Sequence, residues 1–195
     1  MAKKNQLTTS DYLPYEEYEK LLDKLHGDEE YLWEMYARLS FCTACRASDV
    51  LRFTWGDIVG KDHVQVVEQK TKKVRTISFN VSVKKKFAEL YALLGRPELS
   101  ELIFKSYRTG DAFTIQHVNR TLKAIKKKYK VKIGNFSTHT FRKTFGRYVY
   151  EKNNRSAESL ILLNKILNHS SIDVTKVYIG ITQDEIQSIY DSISF

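Results

Sequence analysis

Leu167-Asn168-His169-Ser170-Ser171-Ile172-Asp173-Val174-Thr175-Lys176-Val177-Tyr178 is the stretch that decides the reading of this chain. It follows an apolar run, Ala157 to Leu167, whose spacing predicts a helix. Asn168 ends that run, and asparagine is the residue that best tolerates a left-handed backbone after glycine. A short helix is expected from Val174 to Tyr178. The stretch carries an imidazole at His169 and a phenol nine positions later at Tyr178.

Working outward, three more patterns precede it in a fixed order. Thr43-Ala44-Cys45-Arg46-Ala47-Ser48-Asp49-Val50-Leu51 comes first, then Lys70-Thr71-Lys72 with Arg75, then Thr138-His139-Thr140-Phe141-Arg142. Around them the periodicity is mostly helical. Helices are expected at about Pro14 to His26, Glu30 to Cys45, Ala47 to Phe53, Val81 to Leu94, Thr114 to Tyr129, Thr138 to Glu151 and Asp184 to Ser192. Thr8, Thr9, Ser10 and Asp11 offer capping oxygens before the first of these. Between His63 and Phe79 the pattern turns β-branched on both sides of Lys70-Thr71-Lys72, which predicts a β-hairpin. The expected class is α+β, mainly α, with a small antiparallel sheet. Residues 1–12 are expected to be a loosely ordered segment and 13–195 one domain.

The chain has 195 residues, 42% of them hydrophobic, enough to bury a core. Its formal net charge is +9. That balance favours a polyanionic partner, with nucleic acid ahead of an anionic membrane surface. No apolar run reaches membrane-spanning length, and Met1-Ala2-Lys3-Lys4-Asn5-Gln6 does not lead into a secretory signal. A cytoplasmic protein is expected. Cys42-x-x-Cys45 lacks the strand a thioredoxin-like motif needs and a second ligand pair for zinc, so both read as structural thiols.

Taken in order, Arg46, the hairpin lysine, His139-x-x-Arg142, His169 and Tyr178 resemble the catalytic domain of the tyrosine recombinase (phage integrase) family, from about Leu13 to the end. Asp49 matches that family's acidic residue three positions after the first arginine. Two departures occur: Asn168 replaces the usual glycine, and Ala44-Cys45 replaces the usual Gly-Leu. The resemblance implies a site-specific DNA recombinase that makes a 3′-phosphotyrosine. Arg46 and Arg142 would clamp the phosphate oxygens with forked donors, joined by His169. His139 would accept the proton of the attacking Tyr178 phenol, and Lys70 would protonate the leaving 5′-oxygen. Lys72 and Lys73 are rivals to Lys70. Neither metal nor ATP is implied, because the arginines do the electrostatic work of an ion and no acidic cluster suits Mg²⁺.

The same resemblance implies double-stranded DNA as the partner. Lys72, Lys73, Arg75, Lys126, Lys127, Lys128 and Lys143 are candidate phosphate contacts. Ile186, Ile189, Tyr190 and Ile193 form a narrow apolar stripe that would dock on a neighbouring subunit in a homo-tetramer. The family usually carries a further N-terminal domain, so a fragment or a short stand-alone member is expected. The rival readings are a type IB topoisomerase, with the same chemistry and no partner exchange, and a non-catalytic DNA-binding protein on the same scaffold. Read singly, each residue has a plainer role: Arg46 paired with Asp49, satisfied structural histidines, a packing tyrosine, and a solvated lysine face at 126 to 130.

Overall fold

The computed structural model describes residues 10–181 and 190–194. α1 (Tyr15–Gly27) turns Tyr18, Leu21, Leu22 and Leu25 inward. α2 (Tyr31–Thr43) is apolar on most sides and runs through the centre, with Met35, Tyr36, Ala37 and Leu39 buried. It packs on α1, on α5 (Val81–Leu93) and on α7 (Thr140–Lys152). Its one buried acid, Glu34, accepts from Arg38 Nε at 2.7 Å and pairs with His26 Nδ1 at 2.8 Å. A buried carboxylate without such partners would be costly.

α2 stops at Thr43 because Ala44 is left-handed (φ 49°), two residues short of the expected end at Cys45. Cys42 lies on the helix, partly buried, and Cys45 just beyond it, buried; both are free thiols. α3 covers only Ala47–Val50. α4 (Trp55–Ile58) was not expected from periodicity; a capping box between Thr54 and Asp57 starts it. β1 (His63–Val67) and β2 (Val74–Ser78) form a two-stranded antiparallel sheet with His63 opposite Ser78 and Val67 opposite Val74. The predicted hairpin is therefore present, with shorter strands and a longer tip.

α6 (Ile115–Lys128) buries Val118, Leu122 and Ile125 behind a Thr114 cap. α8 (Ala157–Leu167) has the predicted bounds, capped by Ser156. α9 (Ile172–Tyr178) begins two residues earlier than expected, because Ser171 caps it by accepting from Val174 N. The capping expected of Thr8 to Asp11 is corrected: the N-cap of α1 is Pro14, without a side-chain bond. Instead Ser10 is buried against Thr140 Oγ1 at 2.9 Å, and Asp11 exchanges backbone and carboxylate bonds with Asn135. Thr8, Thr9 and most of the expected helix from Asp184 to Ser192 lie outside the described residues. Among those described, Tyr190 and Ile193 are 65% and 57% exposed. No helix among the described residues is long and apolar enough to cross a membrane.

Candidate active site

Two helices end in left-handed caps, α2 at Ala44 and α8 at Asn168 (φ 51°, ψ 52°). Asn168 thus takes the backbone its residue type predicts. Such ends leave carbonyls without helical partners, and one side chain collects a carbonyl from each. Arg142, 2% exposed on the first turn of α7, donates from Nη1 to Ala44 O and from Nη2 to Leu167 O. A planar fork holds two acceptors in fixed directions, which the rotatable donors of a lysine do not.

The other residues gather round this guanidinium. Arg46 lies just past the α2 cap and opens α3, its side chain 17% exposed. His139 is the residue before α7, placed where Asn119 Oδ1 accepts from Thr138 N. Burial pushes its pKa down to about 4, helped by the charges of Arg142, Lys143, Arg46 and Lys70. His169 follows the α8 cap, with Nδ1 3.0 Å from Thr175 Oγ1. Burial, with Arg142 and Arg46, lowers its pKa to about 4 as well. Both imidazoles are therefore neutral near pH 7.

Tyr178 ends α9 with its ring 4.8 Å from the His169 ring and 5.9 Å from the Arg142 guanidinium carbon. It is 7% exposed, and its hydroxyl makes no hydrogen bond among the described residues. Burial raises the phenol above its ordinary pKa, and the Arg142 charge opposes this.

The plain pairing of Arg46 with Asp49 is corrected. Arg46 Nη1 donates to Glu68 Oε2 at 2.7 Å, while Asp49 Oδ1 accepts from Gln69 N at 3.0 Å and so ties α3 to the hairpin. Glu68, at the end of β1, was not anticipated: a charged residue at a hairpin tip reads as solvated. It is fully buried. Burial alone would raise its pKa, but hydrogen bonds from Thr71, Asn168 and Arg46 hold it down to about 2.

The basic residues divide. Lys70 and Lys72 are exposed on the hairpin tip. Lys73 donates to Asn168 Oδ1 at 2.9 Å. Arg75 and Lys143, expected on the DNA-facing surface, turn inward. Arg75 donates to Thr43 O and Glu68. Lys143 is buried, donating to Ser10 O at 2.6 Å with its ammonium 5.1 Å from the Tyr178 ring centroid. Lys126 reaches Gly134 O, Lys127 is exposed, and Lys128 is paired with Asp28 and Glu30. No group of three or more His, Cys, Asp or Glu side chains placed to hold a metal occurs among the described residues.

Known proteins resemble this chain in sequence and in fold. The Phage integrase family matches residues 11–185. The chain is 34% identical over 175 residues to "Probable integrase/recombinase YoeC" of Bacillus subtilis (strain 168), covering 87% of this chain and 92% of that protein. Solved structures share the fold at lower identity. XerA recombinase has a TM-score of 0.71 at 18% identity, with 98% of this chain and 68% of that one covered. XerH site-specific recombinase, bound to a palindromic difH substrate, has a TM-score of 0.69 at 16% identity over 95% of this chain. The present chain spans about half of that one, 54% of its length. A lambda integrase(75-356) dimer bound to a COC' core site gives a TM-score of 0.64 at 21% identity, covering 92% of this chain and 62% of that one. The chain belongs to the phage integrase family of tyrosine recombinases.

Proposed function

We propose that this protein cuts and rejoins DNA at a specific site through a covalent link between Tyr178 and a 3′-phosphate. The observation that carries the proposal is the position of Arg142, whose two carbonyl bonds draw the ends of α2 and α8 together. Around it stand Arg46, His139, His169 and Tyr178, the donors, base and nucleophile that transfer of a phosphodiester requires.

In this scheme the Tyr178 oxygen attacks phosphorus and the phenolic proton passes to neutral His139. Its pKa of about 4 leaves the imidazole unprotonated and able to accept at pH 7. Arg46, Arg142 and a ring N–H of His169 meet the charge that builds on the non-bridging oxygens. The bond from phosphorus to the 5′-oxygen breaks, and Lys70 protonates that oxygen. A second 5′-hydroxyl reverses the steps and reseals the strand. The ester keeps the bond energy, so ATP has no role, and four protein cations and donors supply what a metal would. Because the Tyr178 hydroxyl is interior, its ring must shift toward the phosphate for attack. Double-stranded DNA is the partner, and on it the chain assembles as a homo-tetramer through its C-terminal segment. The exposed Tyr190 and Ile193 support that reading.

The test is a nicked duplex carrying the recombination site, incubated with wild type and Tyr178→Phe and run on a denaturing gel. The wild type should form a protein–DNA adduct and the variant none. An adduct with the variant would remove Tyr178 from its role. DNA binding without an adduct from either protein would favour the non-catalytic reading.

A further inference from the structure

The family resemblance expects glycine at position 168, and a left-handed backbone explains why asparagine can stand there. It does not explain what the side chain does. Asn168 Nδ2 donates to Glu68 Oε2 at 2.9 Å and to Thr71 Oγ1 at 3.0 Å, and Asn168 Oδ1 accepts from Lys73 Nζ at 2.9 Å. One amide from the α8–α9 junction therefore holds hairpin residues on both sides of Lys70. Glycine has no group for this.

Glu68 completes the arrangement. Its Oε2 accepts from Thr71 Oγ1 at 2.6 Å and Arg46 Nη1 at 2.7 Å, and its Oε1 from Arg75 Nη1 at 3.4 Å. The backbone closes the tip with Lys72 N donating to Glu68 O at 2.8 Å and Glu68 N to Lys73 O at 3.0 Å. Charge-assisted bonds to a fully buried carboxylate are strong and directional. Lys70 is exposed and makes no side-chain hydrogen bond or ion pair among the described residues. Its place is set by its neighbours, and its charge already reaches His139.

We propose that Asn168 and Glu68 are positioning residues forming a latch, which fixes the hairpin tip against the α8–α9 junction and so holds Lys70 where it protonates the leaving oxygen. The proposal rests on Lys70 as the general acid. A tip without the latch would sample many positions, and loss of orientation lowers the rate of a proton transfer.

The experiment compares two nicked duplexes with the same site, one with the ordinary 5′-oxygen at the scissile phosphate and one with sulfur in its place. Sulfur departs as a thiolate and needs no proton. Asn168→Gly keeps the left-handed backbone and removes the amide. It should form adduct roughly tenfold more slowly than wild type on the oxygen substrate and at the wild-type rate on the sulfur one. Thr71→Val, which removes the hydroxyl shared by Glu68 and Asn168 and leaves the α8–α9 junction unaltered, should do the same. Wild-type rates on both substrates, or equal slowing on both, would overturn the latch. Lys70→Ala is the reference: if sulfur does not rescue it, the general-acid reading fails and the latch with it. If sulfur rescues Lys70→Ala while Asn168→Gly and Thr71→Val behave as wild type, the latch alone fails.

Discussion

At the scale of single residues, the site is a set of ionisable groups whose burial separates their titrations. His139 and His169 have pKa values of about 4 against an ordinary 6.5, so the folded protein binds fewer protons than the unfolded chain between those values. Stability therefore falls as pH drops from 6.5 towards 4 and then levels. Glu68 has a pKa of about 2 against 4.5. Its contribution is complete above pH 4.5 and is lost as pH falls towards 2. Urea midpoints across pH should show both windows. The double variant His139→Gln, His169→Gln should flatten the upper one, and Glu68→Gln the lower. An upper window unchanged in the double variant would mean the imidazoles are not held neutral. The proximity of Arg46, His139, Arg142, His169 and Tyr178 was legible in the sequence because each sits in an ordered local pattern. Glu68 could not, since its meaning comes from Arg46, Arg75, Thr71 and Asn168, three of them brought close only by the fold or the hairpin. Lys143 and Arg75 misled for the same reason: the sequence does not tell a lysine facing solvent from one whose ammonium turns inward to Ser10 O.

At the scale of elements, helix identity followed from apolar periodicity, while helix ends followed from caps. α8 kept its predicted bounds because Ser156 and Asn168 mark both ends. α4 was missed because four residues are too few to show a period, though Thr54 and Asp57 carried the signal. Helix α7 meets the residue after α9 at Gly146, where an added Cβ would stand 2.7 Å from Ile179 Cγ2 and 3.7 Å from Leu167 Cδ1. Glycine to alanine within an exposed helix stabilises. Here the contact reverses the sign: Gly146→Ala should destabilise the protein by about 1–3 kcal/mol. Chemical denaturation decides it, and a gain in stability would mean that α7 and Ile179 are not in close approach.

For the whole molecule, a net charge of +9 sets an attraction to polyanions without locating it. The lysine run at the end of α6 shows how local pairing divides that charge. Lys128 lies 2.9 Å from Asp28 and 3.2 Å from Glu30, whereas Lys127 is exposed and has no side-chain partner among the described residues. If this face meets phosphate, Lys127→Ala should lower the slope of log affinity against log salt by about 0.9. Lys128→Ala should change it by less than half as much. Anisotropy titrations on duplex DNA at several salt concentrations measure both, and equal changes would count against the division. This difference was not legible beforehand, because the run reads as uniform and the carboxylates come from the turn after α1.

Tyr178 and Ile179 pack with Ala44, Leu160, Leu163 and Leu167 in a hydrophobic cluster separate from the principal core, which holds Tyr36, Phe87, Phe104 and Phe141. A tyrosine rooted in the principal core could reach a phosphate only by loosening the body of the domain. Rooted where it is, the phenol can swing out while the larger core stays closed, since cooperative opening follows local packing. In the proposed reaction Tyr178 would thus be unseated and reseated many times without the protein passing near its own unfolding transition.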